Sequence, residues 1–165
     1  MKDKEFVIKK LSEKDKRTIC SWRYEGAYAV YNLPSFEELK KREQSFMNCT
    51  KESGYRAFYL RGQLIGYSNI RREDNGVYIG VGVAPKLCGR GYGQQIVNAT
   101  VELARREYRS GIFYLEVRSW NVRAIKCYEK CGFQIVGDLY FKEISDEKIS
   151  FYRMQKSLAR HIYNI

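Results

Sequence analysis

Between Val81 and Ile96 the chain passes from an apolar strand, Val81-Gly82-Val83, through Pro85 into a loop with glycine at 89, 91 and 93. A helix follows, carrying Ile96, Val97, Thr100, Val101, Ala104 and Tyr108 along one stripe. Glycines at alternate positions bring the backbone against a ligand with no side chains between, so that successive N–H groups aim at one anion. The loop also opens a helix, whose first N–H groups lack intrahelical partners and whose dipole is positive at that end. Strand, glycine turn and helix in this order suit a phosphate group.

A Walker loop would need Gly-Lys-Ser/Thr at the helix start, where this chain has Gly93-Gln94-Gln95. A dinucleotide fingerprint has the spacing G-x-G-x-x-G after the first strand of a βαβ unit. Here the glycines alternate in mid-chain, after segments that read as antiparallel strands. Taken alone, the motif also allows a glycine turn with no ligand. The second half of the chain lowers that alternative. Leu115-Glu116-Val117 reads as a strand, and Asn121 starts a helix through Ala124, Ile125, Tyr128 and Cys131 that Gly132-Phe133 closes. The pattern V-x-P-x-x-x-G-x-G-x-G, followed by L-x-V-x-x-x-N-x-x-A-x-x-x-Y-x-x-x-G-F, resembles the GCN5-related N-acetyltransferase (GNAT) family. The resemblance covers about Gln63 to Gly137 in order and spacing. Cys88 departs from it, standing where the family usually has Arg or Gln. One side-chain contribution to the phosphate loop is therefore missing, which a backbone cradle does not need.

At 165 residues the chain is expected to form one domain, 1–165, with a proper core. Thirty basic against nineteen acidic residues give a net charge of +11, which suits nucleic acid, an anionic surface or a polyanionic cofactor. The basic residues are scattered, apart from pairs such as Arg71-Arg72 and Arg105-Arg106, so a solvated basic surface is the plain reading. Nucleic-acid binding is disfavoured because it leaves the glycine and tyrosine motifs unexplained. No run reaches the length of a membrane span, and the segment from Met1 to Phe6 lacks a signal-peptide core. The five cysteines include no C-x-x-C pair, although Cys127 and Cys131 lie four apart on one helix face. With His161 as the one histidine, neither a metal site nor a disulfide framework is expected, and a reducing cytoplasm fits.

In order, Glu5 to Lys9 reads as a strand, and Ser12 caps a helix to about Arg23 with Asp15 as its capping-box partner. Trp22, Tyr24, Glu25, Tyr28 and Tyr31 form an aromatic segment equally suited to core packing and to substrate contact. Ser35 and Glu38 cap a second helix expected to run through Leu39 and Phe46 toward Cys49. Tyr55 to Arg61 and Leu64 to Arg71 form a hairpin. Asp74-Asn75-Gly76 then turns into Val77 to Val83, making three consecutive antiparallel strands. Ile112 to Val117 follows the long helix as a strand parallel to its predecessor, and Gln134 to Lys142 pairs with Lys148 to Gln155 around Ser145-Asp146.

The resemblance implies a mixed α/β domain of α+β-like character. Its central twisted mixed sheet would have antiparallel N-terminal strands, a splayed parallel pair at the cofactor site and helices on both faces. It implies acetyl-CoA (coenzyme A) as cofactor and transfer of the acetyl group to an amine acceptor, a small molecule or a protein, by direct attack. The cofactor contacts it implies are Val81, Gly82, Val83, Cys88, Gly89, Arg90, Gly91, Tyr92, Gly93, Gln94 and Asn121, with Lys86 adding charge. It makes Tyr128 the acid for the leaving thiolate and tips the aromatic segment toward the acceptor. Gly80 and Gly82 mark either a close cofactor approach or packing. For the general base, Glu25, Glu73, Asp74, Glu116 and a water-mediated route stay open. An idle acyl-CoA-binding module is the alternative, since the strand before the loop lacks the glutamate that many family members have. A homodimer also stays open.

Overall fold

Turn chemistry and hydrophobic periodicity resolve into seven strands and four α-helices among the described residues, 6–159, of this computed structural model. Glu5 and His161 lie outside the described residues. The elements are β1 (Val7–Lys10), α1 (Glu13–Ser21), α2 (Phe36–Lys41), β2 (Tyr55–Leu60), β3 (Gln63–Glu73) and β4 (Gly76–Val83). They continue as α3 (Tyr92–Tyr108), β5 (Ile112–Arg118), α4 (Val122–Lys130), β6 (Gln134–Ile144) and β7 (Glu147–Ser157). One mixed sheet takes the order β1-β2-β3-β4-β5-β7-β6. The β1–β2, β2–β3, β5–β7 and β6–β7 pairs are antiparallel, and β4–β5 is parallel across the α3 crossover. The parallel ladder registers only Val77 with Phe113 and Tyr78 with Tyr114 among the described residues. So short a ladder is what a splayed pair leaves.

The chain packs as two compact units. One comprises the residues through Asn69 with Val81–Ile96, the other Ile70–Gly80 with the chain from Val97 onward. The division falls inside β3, β4 and α3 rather than at a linker. In the first unit Ile19, Cys20, Phe36, Leu39, Phe46 and Tyr55 form a buried cluster, against which Trp22 and Tyr67 pack. In the second, Phe113, Tyr114, Leu115 and Val117 are buried, the near-continuous run that an interior strand requires.

Ser12 and Asp15 form the capping box of α1, each side chain receiving the other's backbone N–H. Such a cap contributes about 1 kcal/mol. Asp15 is also buried and takes the Tyr59 hydroxyl. The second helix ends well before the expected Cys49, at Lys41. Gln44 N–H bonds the Leu39 carbonyl and Glu43 N–H bonds that of Lys40, with Glu43 at φ 50°. This is a Schellman closure with glutamate at the position glycine usually holds. Phe46 reaches the core from a short 3₁₀ turn, Ser45–Met47, instead.

Two strand glycines are required by packing. A Cβ on Gly82 would stand 2.3 Å from Tyr67 Cε1, and one on Gly66 would stand 2.5 Å from Ile96 Cδ1. Gly80 would meet only its neighbour Tyr78, at 3.5 Å. Gly82→Ala is therefore expected to lower stability by roughly 1–3 kcal/mol, the usual cost of overpacking. An unchanged midpoint in urea would show that the Tyr67 ring is free to move away.

Burial alone would raise the Asp15 carboxyl, but hydrogen bonds from Tyr59 and Ser12 hold it below the ordinary carboxylate range, while Tyr59 is pushed up to about 12. Because the folded-state value is depressed, Asp15 stabilises the fold above the unfolded value of about 3.9, and loses that contribution as pH falls below it. Asp15→Asn should flatten the pH dependence of the urea midpoint on this acid limb. A slope equal to that of the parent would assign acid destabilisation to other groups.

Candidate functional site

The end of β4 is fastened from three sides. Ile65 is the extra residue of a β2–β3 bulge, where Phe58 faces Gly66 and Tyr59 faces Leu64. Its carbonyl takes the Ala84 N–H at 2.9 Å. The Val83 carbonyl accepts the Tyr24 hydroxyl at 2.8 Å, and the Cys88 thiol lies 3.8 Å from the same oxygen. A single 3₁₀ turn, Pro85–Leu87, then leads into the loop. Gly89 and Gly91 have φ of 76° and 81°, the left-handed region that favours glycine, and a Cβ on either would meet nothing within 4 Å. Their conformation rather than packing demands glycine, and the space beside them is open. Gly91 accepts the first bond of α3, from Gln95 N–H at 3.5 Å, so Tyr92, Gly93 and Gln94 form the helix's first turn. These positions form the N-terminal end of the helix, where its dipole is positive. Arg90 and Lys86 are exposed on the loop, whereas Val81, Gly82, Val83 and Cys88 are half-buried. Cys88 thus faces back toward the strand end instead of extending as an arginine would.

The aromatic segment splits between fastening and packing. Asn32 brackets Tyr24, its side chain accepting from the Tyr24 N–H at 2.7 Å and donating to the Tyr24 carbonyl at 3.2 Å. Trp22 lies tilted against Tyr67 at 6.1 Å, and Tyr67 covers Gly82. Tyr28 is half-buried, while Glu25 and Tyr31 are exposed on the 3₁₀ turn Gly26–Tyr31 and its N-cap. A groove of about 590 Å³ opens in the same unit, lined by residues including Lys14, Asp15, Trp22, Tyr59, Leu64 and Lys86. Sequence reasoning missed it. Asp15 carried only the signal of a cap partner and Tyr59 only that of a strand residue.

In the second unit, Asn121 is buried and caps α4, its side-chain oxygen accepting the Ala124 N–H at 3.1 Å. Tyr128 is half-buried near the other end of α4. Its carbonyl takes the N–H of Phe133 at 3.0 Å, Glu129 takes that of Gly132 at 2.9 Å, and Gly132 has φ 85°. The helix thus ends in a Schellman motif, and Tyr128 and Phe133 supply its customary apolar contact, their rings edge-to-face at 6.4 Å.

Two candidate bases are engaged elsewhere in this unit. Glu73 receives the Tyr114 hydroxyl and pairs with Arg71 at 3.1 Å. With Asp74 it lines a cavity of about 340 Å³ at the β3–β4 turn, the end of β4 away from the glycine loop. Burial would raise the Glu116 carboxyl, but the Lys142 ammonium holds it below the usual range. Among the described residues no group of three or more His, Cys, Asp or Glu gathers to hold a metal, and no helix is long and apolar enough to cross a membrane.

Solved structures share this arrangement of strands and helices. An acetyltransferase of the GNAT family from Bacillus anthracis superimposes with TM-score 0.74 at 18% identity, covering 92% of this chain and 94% of that one. The aminoglycoside acetyltransferase AAC(6')-Ib in complex with coenzyme A gives 0.71 at 20% identity, over 93% and 95% of the two chains. A chimera of the spermidine N-acetyltransferase SpeG from Vibrio cholerae and hSSAT gives 0.71 at 22%, over 92% and 95%. In sequence, the N-alpha-acetyltransferase RimI of Mycobacterium tuberculosis is 37% identical over 82 residues. That match spans 46% of this chain and about half of the relative's length, 49%. The acetyltransferase (GNAT) family model matches residues 16–133, more than half of the chain, and the chain belongs to that family.

Proposed function

We propose that residues 1–165 act as one acetyl-CoA-dependent N-acetyltransferase domain, cytoplasmic in location, that acetylates a primary amine by direct attack in a ternary complex. The observation that carries this reading is the glycine loop at the head of α3, with left-handed Gly89 and Gly91 and open space beside both. That cradle fits a pyrophosphate. Backbone N–H groups from Gly89 to Gln94 would hold it, with Lys86 and Arg90 adding positive charge. Bound acetyl-CoA supplies an activated acetyl thioester. A backbone N–H near Val83 donates to the carbonyl oxygen as charge develops there, and the Ala84 N–H is already committed to Ile65. Tyr128 gives its hydroxyl proton to the departing thiolate. No residue of the chain needs to attack, so the scarcity of histidine is no obstacle.

Glu73 is engaged by Arg71 and Glu116 by Lys142, which favours one acceptor class. With those two carboxylates engaged, the proposal gives proton removal to water, and an amine that sheds its proton readily is then the better nucleophile. An α-amino group, at about 7.7–8.0, is deprotonated roughly two orders of magnitude more easily than a lysine side chain at about 10.4. We therefore favour an α-amine, the acceptor that the name of the N-alpha-acetyltransferase RimI indicates for that protein, over a polycation, which the net charge of +11 does not invite. In an acetyl-CoA-dependent screen that detects free thiol, α-amines should outpace ε-amines near neutral pH. Equal rates would point to a carboxylate base.

Acetyl-CoA should raise the melting temperature, and NADH or ATP should do so much less. Gly91→Asp should abolish the acetyl-CoA shift in a protein that still folds, since a carboxylate would stand where the anion approaches and φ is positive. Equal shifts from all three ligands, or an unaltered shift in the variant, would remove the phosphate cradle from the proposal.

Tyr128→Phe keeps the ring that closes α4 and deletes the hydroxyl. Acetyl-CoA affinity should hold while turnover falls by about 10²–10⁴, the usual contribution of a positioned acid. Full turnover in a variant that melts earlier would make Tyr128 a packing residue and leave protonation to water.

A further inference from the structure

Cys127 and Cys131 stand one helical turn apart at the end of α4, with Tyr128 between them in the chain. Neither thiol has a part in the proposed reaction. Cys131 is the C-cap residue and only 4% exposed, while Cys127 is half-buried on the preceding turn. The two side chains are hydrogen-bonded to each other, and Lys130 and Arg123 bring positive charge to Cys127. Lys156 reaches the same corner, donating to the Cys131 carbonyl at 2.7 Å. A reagent therefore meets one partly accessible sulfur with a second sulfur behind it, among three cationic side chains.

We propose that Cys127 and Cys131 form a dithiol site that a hydroperoxide closes into a disulfide across the last turn of α4. Cys127 attacks the terminal peroxide oxygen as its thiolate. The O–O bond breaks, the alkoxide takes a proton and leaves as alcohol (water, for hydrogen peroxide), and Cys127 becomes a sulfenic acid. The Cys131 sulfur then displaces the hydroxyl, which leaves as water with the remaining thiol proton. Two thiols lose two electrons and one peroxide bond gains them. The hydrogen bond from Cys131 holds the Cys127 thiol below its usual range in spite of burial, which favours the first step. The same bond pushes Cys131 up, ahead of burial and the Cys127 charge. Oxidation of Cys127 removes both the bond to a thiolate and that charge, and Lys156 remains to favour the Cys131 thiolate.

Helix geometry allows closure and makes it strained. Residues four apart rise about 6 Å along an α-helix, within the Cα separation that a disulfide spans, but their Cβ atoms are about 5–6 Å apart against about 3.5–4.5 Å in the bond. The last turn must tighten by an ångström or more. Closure therefore works against the bonds that end α4, Gly132 N–H to Glu129 and Phe133 N–H to Tyr128, and leaves a strained bond that thiols reduce readily. Tyr128 lies in the turn that tightens.

Tryptic mapping tests this directly, because cleavage after Lys126, Lys130 and Lys142 puts the two cysteines on separate peptides. Hydrogen peroxide at low excess should join peptide 127–130 to peptide 131–142, and dithiothreitol should separate them. Phenylarsine oxide, which binds two neighbouring sulfurs with loss of water, should shield both thiols from maleimide in the untreated protein without any substitution. In Cys131→Ala, alkylation of Cys127 by iodoacetamide should slow several-fold relative to the exposed Cys49. Sulfinic acid on Cys127 beside reduced Cys131, or two thiols still open to maleimide after the arsenical, would overturn the site.

Discussion

Everything that the glycine loop can do depends on the last peptide of β4 being held still. The Ala84 N–H is taken by Ile65 and the Val83 carbonyl by Tyr24, so both polar groups of that peptide have partners before the chain leaves the sheet. A buried peptide must satisfy both groups, and here each partner comes from a different element. The Ile65 carbonyl is presented by a bulge, and the Tyr24 hydroxyl by a segment that Asn32 ties on itself. The loop therefore starts from a fixed direction, which backbone groups aimed at one anion require.

The same interaction explains why the aromatic segment was only half legible. Ring density told that Trp22, Tyr24, Tyr28 and Tyr31 were not an ordinary surface loop, but a ring with a polar tip serves a core or a ligand equally well. Tyr24 turns out to act through its tip, on a strand end 59 residues away in sequence. Trp22 acts through its face, on Tyr67. Long-range pairing of this kind leaves no spacing to read. The glycine loop was legible because its constraint is local: positive φ at Gly89 and Gly91 is written into the residues themselves.

Two helix ends make the same point within one motif. Both α2 and α4 close with the paired bonds of a Schellman turn, yet only the place where α4 ends, at Gly132-Phe133, is legible in the sequence. Gly132 announces the left-handed residue, whereas at the end of α2 that place is held by Glu43, whose side chain gives no such signal. The strain of a non-glycine residue at φ 50° is tolerated because the chain must turn there to deliver Phe46 to the buried cluster. Tertiary burial set the end of α2 against local preference, and burial is what periodicity alone could not weigh.

How the acidic residues are used bears on the chemistry as much as the glycines do. Asp15 holds a cap and a tyrosine, Glu73 holds Tyr114 and Arg71, and Glu116 holds Lys142. For Asp15 and Glu116 burial would raise the carboxyl, but hydrogen bonds to the charged form hold it below the usual range and make it a weaker proton acceptor. Recruiting Asp15 or Glu73 to deprotonate an ammonium group would take the acceptor from a tyrosine hydroxyl, Tyr59 or Tyr114, in a partly buried place, at about 1–3 kcal/mol. Glu25 differs, being exposed in the aromatic segment within the same unit as Val83. An exposed carboxylate attracts a cation without having to take its proton. Under the proposed route through water, the choice of amine rests on the amine's own acidity.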